Sequence, residues 1–328
     1  MDNKIRVGIV GFGNLGSFSL NNVSFFPDME VRGVFSRRKA SDVNCSSVPV
    51  YSVDQIKDFT NEIDVMLLCG GSANDLMSQS VEITKFFNTV NTFDTHAKIP
   101  QHFHEVDEVA RENKKVAILS VGWDPGLFSI NRVLVDSIIP NNSTYSFWGK
   151  GVSQGHSNAI RGIAGVEDAV QFTVPSEEYI NKALSGEKVN VSKTADLHSR
   201  LCYVVLKAGA NEEEVRSKIV NMPNYFADYK TTVNFITKEE FNKNFAGKLP
   251  HGGHVIGIGS GTKNEKMTLD FNLNLESNPS FTSCVVLAYA RAAYKMFNEQ
   301  QYGAKTVLDV PLKYLSARSY EELLEHYM

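Results

Sequence analysis

Cysteine is scarce in this chain of 328 residues: Cys45, Cys69, Cys202 and Cys284 lie far apart and form no C-x-x-C pair. That scatter excludes a disulfide framework and a thiolate metal cluster, and the four read as small apolar side chains. An excess of one charge is lacking too. With 33 basic and 37 acidic residues and a net charge of -4, no broad field points to nucleic acid or a membrane surface, although a pocket with a few cations could still take a small acidic metabolite. No apolar run approaches the roughly 18 residues that span a bilayer. No charged-then-apolar leader opens the chain, so the expectation is a cytoplasmic protein. Internal repeats and low-complexity tracts are absent as well. What remains, at 42% hydrophobic and 21% charged residues, is an ordinary globular composition, long enough for two domains.

What is present begins at residues 5–16, I-R-V-G-I-V-G-F-G-N-L-G. A short apolar run leads into Gly11, Gly13 and Gly16 in G-x-G-x-x-G spacing, which lets a strand turn sharply into a helix whose N-terminus accepts a dinucleotide pyrophosphate. A lone fingerprint is weak. Here residues 17–26 continue as a helix and residues 29–35 alternate as a second strand, completing the expected strand, turn, helix and strand. An NAD site usually carries Asp or Glu about 20 residues beyond the fingerprint, on the ribose 2′-hydroxyl. This chain has Ser36-Arg37-Arg38 instead. Elsewhere two arginines would read as a solvated basic loop. At this position a hydroxyl and two guanidinium groups suit a 2′-phosphate and predict NADP(H).

Further strands are expected at residues 64–69, 89–93 and 116–120, with helices at 76–87 and 102–112 between them. Their carboxyl ends deliver Cys69-Gly70-Gly71-Ser72, then Asp94, then Trp123-Asp124 to one edge, where doubly wound sheets place ligands. Beyond about residue 130 the alternation stops. Strands are expected at 145–148, 169–175, 201–207, 231–236 and 267–274, and helices at 176–183, 212–220, 238–245, 282–299 and 319–328. The predicted fold is α/β: an N-terminal doubly wound parallel, Rossmann-type sheet over residues 1–122, completed by the helices of 282–328, and a second α+β domain with a mixed sheet over 123–281 for substrate binding and oligomerisation.

Two glycine-laced clusters lie in that second domain: F-W-G-K-G-V-S-Q-G-H-S at 147–157 and L-P-H-G-G-H-V at 249–255. Glycine beside polar and aromatic residues lets backbone approach a ligand closely. H-G-G-H reads as a turn that offers an imidazole to an anion. A metal site is not expected, because no third ligand accompanies the two histidines. His156 alone reads first as a structural hydrogen-bonder. Trp123 and Trp148, the only tryptophans, would ordinarily be core, but their loop positions suit a wall against nicotinamide or substrate.

Taken together, G-F-G-N-L-G, F-S-R-R, F-D-T-H, S-V-G-W-D-P-G-L-F-S-I-N-R, F-W-G-K-G-V-S-Q-G-H-S and P-H-G-G-H-V resemble the NADP-dependent meso-diaminopimelate dehydrogenases of bacterial lysine and cell-wall biosynthesis. The likeness runs almost end to end. It implies reversible oxidative deamination of the D-configured carbon of meso-2,6-diaminopimelate, giving L-2-amino-6-oxopimelate, ammonia and NADPH, in a homodimer or larger homo-oligomer. It further implies that Asp94 and Asp124 hold the ammonium of the reacting centre, that Trp123 and Trp148 line the pocket, and that Thr173, Arg200, His251 and Asn278 grip the distal L-centre, with Arg200 on its carboxylate. Gly11, Gly13, Asn14, Leu15, Gly16, Ser36, Arg37, Arg38, Cys69, Gly70 and Ser72 form the cofactor set. Asp94, Asp124 and His156, the last through a water, are the candidates for moving protons. Two other readings stand beside this one: an NADP-dependent dehydrogenase of another D-amino acid, and a non-catalytic NADP(H)-binding sensor on the same fold.

Overall fold

The apolar run Ile5–Val10 folds as strand β1, almost wholly buried. Helix α1 (Asn14–Asn22), strand β2 (Met29–Ser36) and the short β3 (Val50–Ser52) follow. Strands β4 (Val65–Leu68) and β5 (Asn88–Asn91) are buried throughout, as parallel strands covered on both faces must be. A π-helical turn, Ser72–Leu76, leads from β4 into α2 (Met77–Thr84). Then come α3 (Ile99–Glu112), β6 (Val116–Ile118) and α4 (Leu127–Ile138). This computed structural model describes residues 4–191 and 193–328. They divide into two units, one running to Ile130 and resuming at Pro279, the other being Asn131–Asn278.

The second unit holds β7 (Ser143–Trp148), β8 (Gly151–Val152), α5 (Gln154–Arg161), β9 (Val166–Pro175), α6 (Glu177–Leu184), β10 (His198–Leu206), α7 (Glu212–Val220), β11 (Lys230–Phe235), α8 (Lys238–Asn244), β12 (His251–Ser260) and β13 (Lys266–Leu275). One sheet has the order β11-β10-β9-β8, parallel only between β10 and β11. The other, β13-β12-β7, is antiparallel. The mixed sheet expected in this unit is present, and an antiparallel sheet stands beside it in the same unit. The reading of H-G-G-H as a turn is corrected: those residues begin the ten-residue strand β12 at the centre of that antiparallel sheet. Its glycines serve close approach. A Cβ on Gly252 or Gly253 would lie 2.1 Å from the carbonyl oxygen of Leu273 or Phe147, and both glycines have positive φ. In the S-Q-G-H-S segment Ser153 stands at the N-cap position of α5, which begins at Gln154.

The chain then returns to the first unit with α9 (Asn278–Asn298), β14 (Gly303–Lys305), α10 (Leu312–Leu315) and α11 (Tyr320–Tyr327). Strand β14 adds to β6 and completes an all-parallel sheet of order β14-β6-β5-β4-β1-β2-β3. One face of that sheet, with Val7, Ile9, Val65 and Leu67, packs against Val286, Leu287 and Ala290 of α9. The other face, with Met66 and Leu68, packs against Leu76 and Ile83. Arg291 of α9 donates two hydrogen bonds, each 2.6 Å, to the Asp28 carboxylate at the start of β2. Strand order reverses between β1 and β4, and the crevice at their carboxyl ends is where such a sheet takes a ligand. Among the described residues no helix is long and apolar enough to cross a membrane.

Candidate active site

In the first unit the turn after β1 is built by three glycines with three different jobs. Gly11 has φ +90, and a Cβ there would press on the Cys69 backbone at 3.3 Å. At Gly16 a Cβ would lie 2.2 Å from the Gly11 carbonyl oxygen, so α1 can pack on the turn only without one. At Gly13, the N-cap of α1, a Cβ would meet nothing within 4 Å, and no side chain caps the helix. The packing of the protein itself does not require glycine at 13, and the uncapped helix N-terminus there leaves room for a ligand.

A cavity of about 330 Å³ opens there, lined among others by Gly11, Gly13, Ser36, Arg37, Arg38 and Gly70. Ser36 is buried, and its Oγ accepts the Arg38 backbone N–H at 3.1 Å. Arg38 Nη2 donates to the Phe12 carbonyl at 2.6 Å, and Arg37 Nη2 pairs with Asp75 Oδ1 at 3.0 Å. These donors fit a dinucleotide with a 2′-phosphate. Cys69 lines the cavity too, but burial pushes its thiol up to about 12, which leaves a neutral wall. Asn14 and Leu15 stand in the first turn of α1. Ser72 has a different partner: its Oγ accepts the Asp94 N–H at 3.1 Å.

Asp94 is exposed just beyond β5, and Asp124 is half-buried beyond β6. The residue that organises both loops is Asn91, which sequence reasoning missed. Its buried side chain accepts from the Phe93 and Ser120 N–H groups at 3.0 and 3.1 Å, and donates to Ser80 Oγ at 2.8 Å. Its only advance signal is an amide inside the expected strand 89–93, T-V-N-T-F. Trp123 is 8% exposed and meets Phe128 edge-on at 5.1 Å, so most of its ring is core.

In the second unit Thr173, Arg200 and His251 are brought together, with Trp148 and Asn278 on segments bonded to the start of β12 or just before it. Thr173 of β9 faces Arg200 of β10, and Arg200 Nη1 donates to Thr173 Oγ1 at 2.7 Å. Gly151 pairs with Thr173, and its missing Cβ leaves room for the His251 ring, which that atom would approach within 2.5 Å. Gly149 N–H donates to the Gly252 carbonyl at 2.8 Å, beside Trp148. Asn278 N–H donates to the Leu249 carbonyl at 2.9 Å.

Arg200 is the electrostatic centre of this set. It is 8% exposed, stacks on the Tyr229 ring at 3.8 Å, and has no carboxylate partner among the described residues. Its Nε is buried without an acceptor. Burial lowers the Arg200 pKa from its ordinary value, though a guanidinium keeps its charge. An unpaired buried cation of this shape is a site for a carboxylate.

The imidazoles around it are set to be neutral. Burial, then the charge of Arg200, pushes His198 down to about 4. His198 Nε2 accepts the Trp148 N–H at 2.8 Å, and the two rings stack. Sequence reasoning missed this residue and Tyr229, because no local pattern shows that His198 of β10 meets Trp148 of the other sheet or that the residue before β11 meets Arg200. Burial and Arg200 likewise push His156 down to about 4; its Nδ1 shares a 2.7 Å hydrogen bond with Ser153 Oγ, and its edge meets Tyr225 and Phe226. At neutral pH His156 therefore has no acidic proton to give. His251 is also lowered by burial. No group of three or more His, Cys, Asp or Glu among the described residues could hold a metal ion.

Residues 122–277 match the family model for the diaminopimelic acid dehydrogenase C-terminal domain. The chain is 51% identical to a meso-diaminopimelate D-dehydrogenase of Lysinibacillus sphaericus over 97% of its own length and 98% of the relative's. Among solved structures, a C. glutamicum DAP dehydrogenase in complex with DAP is 40% identical, with a TM-score of 0.91 and full coverage of both chains at 100%. An engineered D-amino acid dehydrogenase bound to NADP+ is 39% identical, with a TM-score of 0.86 over 99% of this chain and 100% of that one.

Proposed function

This chain belongs to the diaminopimelate dehydrogenase family, and from that premise we propose that it catalyses the reversible, NADP-dependent oxidative deamination of meso-2,6-diaminopimelate at its D-centre. The products are L-2-amino-6-oxopimelate and ammonia, in lysine and diaminopimelate biosynthesis. One observation carries the reading to this substrate class: the buried Arg200, without a carboxylate of its own, beside the Thr173 hydroxyl. The cofactor, when bound, supplies a nicotinamide ring that accepts the hydride.

The chain's residues do the rest. Gly13 and the uncapped α1 take the pyrophosphate, and Ser36, Arg37 and Arg38 take the 2′-phosphate. Asp94 and Asp124 hold the ammonium of the reacting carbon and receive its proton, since the amine must be neutral before hydride leaves. Water then adds to the substrate imine and ammonia departs. Arg200 and Thr173 hold the distal carboxylate, with His251 and Asn278 completing the grip on the L-centre and Trp123 and Trp148 walling the pocket. Fixing both ends of a symmetric skeleton is what distinguishes the D-centre from the L-centre. His156, neutral and tied to Ser153, belongs to the surroundings of Arg200 and accepts a proton only through water.

The test is NADP+ reduction with the meso, L,L and D,D isomers side by side. Turnover with meso and none with L,L is expected. Folded protein that binds NADPH yet leaves the meso compound unchanged refutes the reading. The likeness to an engineered D-amino acid dehydrogenase supports a second assay, with D-alanine and D-lysine, to define the scope.

The assembly we assign is a homodimer. Val133, Leu134 and Ile138 on the outer face of α4 are 46%, 43% and 60% exposed, an apolar surface of the second unit that a second copy would cover. Light scattering in line with gel filtration distinguishes a dimer from a monomer. Four cysteines free of disulfides support a reducing, cytoplasmic setting.

A further inference from the structure

We propose that Asp75 is a positioning residue for the 2′-phosphate of the cofactor, acting by holding Arg37 across the mouth of the cavity. The proposal rests on NADP(H) being the cofactor. A carboxylate in this place is unexpected, since it would repel a phosphate directly. Its surroundings explain it. Asp75 lies in the π-helical turn after β4, where its backbone N–H donates to the Gly71 carbonyl at 2.8 Å and its Oδ2 accepts the Gly71 N–H at 3.1 Å. Gly70 packs against it so tightly that a Cβ there would lie 2.8 Å from Asp75 Cβ. The carboxylate is thus fixed from two sides, and its side chain is only 14% exposed.

Arg37 is the opposite kind of residue, with 69% of its side chain exposed. Its Nη2 is held at 3.0 Å by Asp75 Oδ1, and no other partner engages it among the described residues. A guanidinium is a planar fork of five donors. Anchoring one nitrogen on a rigid carboxylate leaves the remaining N–H groups for a phosphate, with the long side chain already ordered.

Removing the Asp75 charge would do two opposite things: free Arg37 to wander, and lower the repulsion on the phosphate. The Asp75 charge is already paired with Arg37 at 3.0 Å, which offsets most of its repulsion on a phosphate, whereas the ordering of the long, exposed Arg37 side chain is lost with it. The loss of positioning therefore prevails.

The experiment is calorimetric binding of 2′,5′-ADP and 5′-AMP at physiological ionic strength to the full-length wild type and to Asp75→Asn, which keeps an oxygen for the Gly71 N–H. Asp75→Ala serves as a second variant, with thermal unfolding as the check on folding. The expected result is that Asp75→Asn binds 2′,5′-ADP about threefold to tenfold more weakly, with 5′-AMP unchanged. A merely structural role would weaken both ligands together and overturn the proposal, as would a 2′,5′-ADP affinity that stays the same or improves. A wild type that binds both ligands equally would overturn the cofactor reading and the proposal with it. A wild-type preference that survives undiminished in Asp75→Asn would overturn the proposal alone.

Discussion

Arg200 and Thr173 face each other across adjacent antiparallel strands, and the guanidinium donates to the threonine hydroxyl at 2.7 Å. The threonine fixes one nitrogen while the Tyr229 ring fixes the plane, so the cation is aimed before any ligand arrives. Replacing Arg200 by Met should raise KM for meso-diaminopimelate about 10- to 100-fold, the value of a charge-assisted hydrogen-bonded pair. NADP+ affinity should stay constant. Arg200→Lys should recover little, because an ammonium lacks the planar fork. Steady-state kinetics together with NADP+ titration read both quantities, and equal losses in the two would contradict the assignment.

Arg37 and Arg38 frame the cavity beside the buried Ser36. Changing both to Ala should weaken NADP(H) binding by at least about tenfold while leaving NAD(H) binding nearly unchanged, since only the former carries the 2′-phosphate. Fluorescence titration with each reduced cofactor measures the split. Equal losses would remove the arginines from the cofactor set.

Gly13 and Gly16 separate ligand fit from protein fit. Gly16→Ala forces a methyl group to within 2.2 Å of the Gly11 carbonyl oxygen, and should cost on the order of 1–3 kcal/mol of stability. Gly13→Ala adds its methyl where nothing lies within 4 Å. It should fold almost normally yet bind NADP+ poorly. Thermal denaturation and cofactor titration on the two variants should give opposite patterns.

Acid should loosen the second unit before ordinary carboxylates titrate. His156 and His198 are held near 4 in the folded chain, against about 6.5 when unfolded. Between those values the unfolded state binds more protons, so the stability these rings contribute is complete above about pH 6.5 and is lost as pH falls toward 4. The thermal midpoint should begin to drop near pH 6.5. In His198→Gln that drop should be shallower, and a wild-type midpoint flat down to pH 5 would contradict the burial argument.

The parallel sheet was legible because its signals are local: the apolar run of β4, the three glycines after β1, and two arginines where an acid would otherwise stand. Strand β12 was not. Its glycines read as a turn, and nothing in the local pattern tells a glycine that bends the chain from one that lets Leu273 or Phe147 come close. The same limit applies to the substrate set. Arg200 sits in an unremarkable strand segment, and its partners Thr173 and Tyr229 reach it only through the pairing of β9, β10 and β11. Family resemblance named Arg200 and Thr173. Register explains how they meet.

The central claim is that hydride leaves the D-centre of meso-diaminopimelate for NADP+. The most direct measurement uses substrate deuterated at one α-carbon at a time, with mass analysis of the NADPH formed. Deuterium should appear in the cofactor, with slowed turnover, only when the label is on the D-centre. Transfer from the L-centre, or full retention of the D-centre label in the product, would contradict the account.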